Sequence, residues 1–326
     1  MAKIHQGSFV KNAISQGAQG YALDLGSVVS MEAFPTRPTQ GKREGSYYVF
    51  TRADMQRIQH DGRRAADGYA KGTEYGLGTD TYACEHISSR HLVTADEVAS
   101  AGGIYDAKAL YSAAEANMVL RIMEDRWATE FFTTGVWTAT GSDSTPSTGW
   151  NATLAGSPRA DIRQARDAIR AVLGREPMHL IGICGATAFS HLEMHPELVD
   201  WGGVANAQGD IAKNALFNSR EQVAAKLGLD AIYVSNANKV TSREGAGSET
   251  RADIVGDGFL VLHVNPAPFD LQKPTAACTF VNKPLYTRTY TDDGLLEGSF
   301  YVEADIDLDF ELVAAELGFF WQNVIT

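Results

Sequence analysis

From Tyr301 to Leu312 the chain reads YVEADIDLDFEL, with Glu303, Asp305, Asp307, Asp309 and Glu311 at every odd position and Val302, Ala304, Ile306, Leu308, Phe310 and Leu312 at every even one. Strict alternation predicts a β-strand, because successive side chains point to opposite faces. At ~3.3 Å per residue the carboxylates form a row roughly 26 Å long, with neighbours about 7 Å apart. A plain solvated face is one reading of the row; five like charges in line repel one another unless cations lie close by, so the other is a cationic surface supplied by another part of the chain or by another copy.

Upstream, residues 1–45 show little periodicity and contain Pro35 and Pro38, which predicts an extended arm. GSYYVFTR (Gly45 to Arg52) predicts a strand, and DTYACEHISSRHLV (Asp80 to Val93) a returning one, together a long hairpin with a wide tip. Tyr105 to Phe132 contains neither Pro nor Gly; Leu110, Ala114, Met118 and Ile122, widened by Tyr111, Val119, Met123 and Trp127, predict one long amphipathic helix. Ser157 as N-cap and Pro158 at the first position open another helix, with Ile162, Ala165, Ile169 and Val172 on one face and Gly174 as its stop. A buried strand from Met178 to Cys184, helices over Ala186–Met194 and Arg220–Leu227, and strands at Ala231–Val234, Phe259–Val264 and from Thr279 onward follow. Asn236 to Asp253 is polar and without period, and is expected to be a mobile loop.

Composition bounds the function. The chain has 326 residues, 44% hydrophobic and 21% charged, enough for one elaborate domain or two. No apolar run is long enough to span a bilayer and no secretory leader is visible, so a soluble protein of a reducing compartment is expected. Cys84, Cys184 and Cys278 are odd in number and widely spaced, which suits neither a disulfide framework nor a CxxC metal site. A net charge of -12 argues against tight nucleic-acid binding. The charge is unevenly placed: eight basic residues against four acids between Arg37 and Lys71, and nine acids with no Lys or Arg after Arg288.

The candidate chemical motifs dissolve on inspection. HLEMH (His191 to His195) puts two histidines four apart, but its acid sits at Glu193 and Pro196 follows, so a helix terminus is the reading. Cys184 lies in a strand-to-helix turn without a GxSxG-type sequence and reads as a small core residue. The carboxylate row diverges along its strand, whereas Ca²⁺ needs six to eight oxygens converging within ~2.5 Å, so no metal site is expected.

Taken in order, Phe34-Pro35 after the arm, the GSYYVF strand, DTYACEHISSRHLVTADE, the helix ending MEDRWATEFF, Trp150, SPRADIRQARDAIRAVLGREP with its following strand, and the helix ending at His195-Pro196 form a set. That set resembles the major capsid proteins of tailed bacteriophages. The resemblance implies the α+β fold shared by tailed-phage and herpesvirus capsids: 1–45 as N-arm, 46–93 as extended E-loop hairpin, 94–158 as peripheral domain with spine helix 105–132 and linker, 159–275 as axial domain, and 276–326 as the peripheral domain's return strands. It implies a structural protein rather than an enzyme, without cofactor, assembling through hexamers and pentamers into an icosahedral head shell around double-stranded DNA.

The partners implied are further copies, a portal, a separate scaffolding protein, a decoration protein as a further candidate, and packaged DNA through weak non-specific contact. The place implied is the virion, after assembly in the host cytoplasm. An encapsulin-like compartment shell, which shares the fold, is the alternative; a carboxylate-metal enzyme is the reading from another class. In the family the E-loop lies across the neighbour's peripheral domain, so Arg52, Arg57, Arg63 and Arg64 are expected to meet Glu303, Asp305, Asp307, Asp309 and Glu311 of a second copy. Met118, Ile122 and Trp127 are expected to pack on Ile306, Leu308 and Phe310.

Overall fold

The computed structural model describes residues 28–50, 56–64, 68–74, 76–101, 106–146, 148–151, 156–199, 219–245, 247–266, 274–291, 295 and 297–325. In chain order these form α1 (Val29–Ala33), β1 (Thr36–Pro38), β2 (Glu44–Phe50), β3 (Leu77–Ala83), β4 (Glu85–Val93), α2 (Ala95–Ala101), α3 (Ala107–Phe131) and α4 (Pro158–Leu173). Then come β5 (Leu180–Gly185), α5 (Ala186–Glu193), α6 (Pro196–Val199), α7 (Arg220–Leu227), β6 (Ala231–Ser235), β7 (Asn238–Val240), β8 (Arg251–Asp253), β9 (Phe259–His263), β10 (Ala277–Tyr290), β11 (Phe300–Leu312) and β12 (Gly318–Trp321).

The alternating C-terminal stretch is β11, and it is an inner strand: the sheet order is β1, β10, β11, β4. Its even side chains, Val302, Ala304, Ile306, Leu308 and Phe310, are buried. Across this sheet lies α3, 25 residues long and opened by Asp106, whose carboxylate accepts from the N–H groups of Lys108 at 3.0 Å and Ala109 at 3.3 Å. That cap satisfies donors with no partner inside the helix.

The buried stripe of α3 is Val119, Leu120, Met123, Trp127 and Phe131. Of the expected trio, Trp127 is fully enclosed and Ile122 is half-buried against the core that holds Ile306, Leu308 and Phe310, whereas Met118 is 49% exposed. The first half of the helix has alanines on several faces, so its period locates the stripe poorly; the aromatic second half decides its rotation. Phe34 fastens the preceding arm to that half, its ring centroid 5.6 Å from Trp127 and 4.9 Å from Phe131. Beside it, the fully buried Glu124 accepts from the N–H groups of Val29 at 3.2 Å and Ser30 at 3.0 Å and from the Ser235 hydroxyl at 3.0 Å. One carboxylate thus ties α1, α3 and β6 together, and burial raises its pKa against the opposing pull of those hydrogen bonds.

The second sheet, in the order β12, β9, β5, β6, buries every residue of β5. A Cβ on Gly185, at the turn into α5, would lie 2.3 Å from the Val255 carbonyl oxygen, so this turn requires glycine. Cys184 beside it is fully buried, and burial pushes its thiol up to about 12. No thiolate forms there near neutral pH. The helix carrying His191 ends at Glu193, and His195 accepts from the Glu197 N–H at 3.3 Å as the chain enters α6.

Two local expectations differ from the structure. The segment Asp80 to Val93 is not one hairpin arm: β3 pairs with β2, and β4 leaves the hairpin to join the main sheet beside β11. The polar stretch Asn236 to Asp253 is closed at its base by the β7–β8 ladder, whose three-residue strands are too short to show a period.

Candidate inter-subunit interface

The odd face of β11 answers the question its charge raises. In the ladder, Glu303 stands between Arg90 of β4 and Arg288 of β10, Asp305 between Ser88 and Tyr286, and Asp307 between His86 and Lys283. Directly opposed residues share a face. The two flanking strands therefore lay a row of cations and hydrogen-bond donors on either side of the acids.

The Arg288 guanidinium donates to Glu303 at 2.6 Å and reaches Asp305 at 3.5 Å. The His86 imidazole bridges two carboxylates, with Nε2 3.2 Å from Asp305 and Nδ1 against Asp307. Asn282 donates to Asp307 at 3.1 Å, and the Lys283 ammonium lies 4.0 Å away. The Arg288 hydrogen bond holds Glu303 below the usual carboxylate range. At Asp307 burial pushes upward, but the hydrogen bonds from His86 and Asn282 outweigh it and the carboxyl titrates low.

Glu303, Asp305 and Asp307 are buried within the single chain, where they meet His86, Asn282 and Arg288 rather than the arginines expected from a second copy. Their counter-charges come from the same chain, because β11 is an inner strand with a partner on each side. Two irregularities in β10, between Val281 and Lys283 and between Lys283 and Tyr286, keep Lys283, Tyr286 and Arg288 in step with the acids. The residues that sequence reading missed are His86, Asn282, Lys283 and Arg288. His86, Ser88 and Arg90 alternate as the acids do, a signal open to reading, but the irregular register of β10 is not.

The last two acids are placed differently. Opposite Asp309 and Glu311, β10 offers Phe280 and Cys278, and β4 has already begun at Glu85 beside Leu308. Asp309 accepts from the Ala83 N–H at 2.7 Å. Burial, with Glu85 nearby, pushes its carboxyl up. Glu311 is pushed up to about 7, first by burial and then by Asp309, Asp80 and Glu130.

Because the ordinary Glu value is about 4.3, the folded chain holds an extra proton between there and about 7, and stability falls as pH rises through that window. Glu311→Gln is therefore expected to stabilise the isolated subunit at about pH 8 by on the order of 1 kcal/mol after solvent screening, seen as a higher melting temperature, and to change little near pH 5. An unaltered profile measured by calorimetry at both pH values would contradict this.

Where β4 gives out, the gap between α3 and β11 is a cavity of about 380 Å³ lined by Glu85, Ile87, Asp125, Arg126, Thr129, Glu130, Leu308, Asp309 and Phe310. The β2–β3 ribbon stands apart from both sheets. At its base Tyr82 stacks on Phe280 with centroids 4.2 Å apart, and Tyr47 lies 5.5 Å from the same ring. Tyr48 and Leu77 are exposed along it, and Ile58 and Tyr69 are exposed in the loop it carries. Arg57, Arg63 and Arg64 of that loop are exposed and their side chains pair with no other described residue; Arg52 lies outside the described residues.

No protein-family model matches this chain, and no curated protein matches it significantly in sequence. Solved structures do match. A phage-related protein of Bordetella bronchiseptica RB50 superposes with a TM-score of 0.62 at 20% identity, covering 96% of each chain. The capsid of the Myoviridae phage XM1 gives 0.57 at 10% identity over 94% of this chain and 95% of that one. The capsid of the cyanophage P-SCSP1u gives 0.54 at 13% identity over 90% and 87%. The chain has a phage capsid fold. The α+β capsid architecture expected from the ordered sequence elements is the one observed. Within this capsid fold, β11 with its acid row is an inner strand beneath α3, and the ribbon with its arginines is the exposed part.

Proposed function

We propose that the protein is a structural shell subunit, the major capsid protein of a tailed phage, which self-assembles through hexamers and pentamers into the icosahedral head enclosing double-stranded DNA. The observation that carries this reading is the capsid fold matched over nearly the full length of both chains. The exposed ribbon supports it: a two-stranded hairpin is marginally stable in water by itself, and one bearing Tyr48 and Leu77 on its surface gains from being covered by another subunit.

The same reading assigns the chain an N-arm to residue 45, an E-loop to 93, a peripheral domain built from 94–158 and 276–326, and an axial domain between. It assigns no catalytic role. The three thiols are buried and pushed up to about 11 at Cys84 and about 12 at Cys184 and Cys278, and three of the β11 acids, Glu303, Asp305 and Asp307, are engaged by His86, Asn282 and Arg288. Portal, separate scaffolding and decoration proteins are the proposed partners, and the virion, assembled in the host cytoplasm, the proposed place.

Negative-stain microscopy of the protein expressed with scaffold and portal should reveal closed hollow particles. Monomers and dimers alone would overturn the proposal, and particles filled with a cargo enzyme would select an encapsulin-like compartment instead.

A further inference from the structure

We propose that the ribbon loop is parked on its own chain by a releasable strap, Gln56 seated on the C-terminal end of α4, and that the parked state holds the unassembled subunit back from association. The inference rests on the shell reading and adds a step that precedes assembly.

The ribbon leaves the main sheet from a firm base. Tyr82 stacks there on Phe280, the Ala83 N–H donates to Asp309 at 2.7 Å, and the Cys84 N–H donates to the Arg43 carbonyl at 2.8 Å. Farther out, the two limbs of the loop are pinned to each other. The Gln59 amide donates to the Glu74 carbonyl at 2.5 Å and accepts from the Glu74 N–H at 2.8 Å, and Lys71 pairs with Asp61 at 2.6 Å. Whatever holds Gln56 therefore holds the loop as a unit.

Gln56 is held by a helix end. Its side-chain amide donates to the Val172 carbonyl at 2.8 Å, across 116 positions of the chain. The last carbonyls of a helix have no acceptor role inside it and need an outside donor. Beside that carbonyl α4 is capped by Gly174 in the left-handed conformation, φ 66°. A Cβ on Gly174 would lie 3.3 Å from the Gln56 amide nitrogen, so the glycine leaves the room the amide takes. Because α4 packs on β9 and β12, the strap ties the ribbon of the main sheet to the helical layer of the second sheet.

The strap is built to open. Gln56 is exposed, and the bond is between neutral groups. A net hydrogen bond of this kind favours the closed form by a factor of about five. A subunit parked in that ratio is competent only in the remaining fraction, and its apparent association weakens in proportion.

Substitution of Gln56 tests the strap. Gln56→Glu removes the donor at constant size and sets a carboxylate against the carbonyl end of α4, whereas Gln56→Lys keeps a donor and suits that end. In unassembled Gln56→Glu subunits, trypsin cleavage after Arg63 and Arg64 should quicken about fivefold, and shells should form at about one fifth of the wild-type threshold concentration. Gln56→Lys should match the wild type in both, and circular dichroism is the folding control.

A covalent strap gives the opposite result. Gln56→Cys with Gly174→Cys, oxidised by added oxidised glutathione, should form a disulfide within one chain at any dilution; the three native thiols are buried, and Gly174→Ala controls for a side chain at positive φ. Oxidised chains should remain unassembled, and reductant should release them to form shells. Absence of the disulfide, shells from oxidised chains, or wild-type cleavage and threshold in Gln56→Glu would each overturn the strap and leave the shell reading standing. An intrachain disulfide with no shells from the wild type, scaffold and portal being present, would uphold the contact and overturn the shell reading.

Discussion

Trp127→Ala is expected to cost the subunit about 3–5 kcal/mol, the range for emptying a buried aromatic site. Trp127 is fully buried on α3, its ring centroid 5.6 Å from that of Phe34 of the arm and 5.3 Å from that of Phe132 at the helix end, in the core that also holds the apolar face of β11. A cavity there would loosen α3 from its sheet and the arm from α3 together. The expected result is loss of soluble subunit or a large fall in melting temperature, with no particles. Trp127→Phe is the control, because the indole N–H has no hydrogen-bond partner and phenylalanine retains most of the apolar volume. Wild-type melting of the alanine variant would show that the α3 stripe is packed elsewhere.

Asp305→Asn combined with Asp307→Asn is expected to destabilise the isolated subunit by about 2–4 kcal/mol, since Asp307 loses its charge-assisted hydrogen bonds from His86 and Asn282, and Asp305, whose oxygens make no hydrogen bond, loses its ion-pair contacts with His86 and Arg288. Asp305 and Asp307 are enclosed in the sheet, and His86 bridges them while Arg288, Lys283 and Asn282 close the remaining sides. The pairs are partly shielded from salt by burial, so the loss should persist at high ionic strength. Thermal unfolding of unassembled protein decides the matter. A variant that melts like the wild type but fails to assemble would mean that these two acids face a neighbour after all.

These outcomes separate two uses of one strand. Glu303, Asp305 and Asp307 hold the sheet of a single subunit together, whereas Asp309 and Glu311 stand opposite Phe280 and Cys278 rather than cations, and Asp309 lines the cavity. The division falls where β4 begins at Glu85 and where β10 presents Phe280.

The sequence by itself determined the elements whose signals are local. The strict period of two in YVEADIDLDFEL specified a strand with one greasy and one acidic face, and Ser157-Pro158 with Gly174 bounded α4 within a residue of its observed span. The ordered set of such elements also carried the α+β capsid architecture. Tertiary structure alone decided what the acid face meets. A strand's pattern says which side chains share a face but not whether the strand is inner or outer, and cross-strand register depends on partners more than 200 residues away, as for His86 and Asp307. It also decided the rotation of α3, because alanines on several faces of its first half leave the stripe to be set by Trp127 and Phe131 packing under Phe34. Local periodicity fixes direction; only the chain's return on itself fixes company.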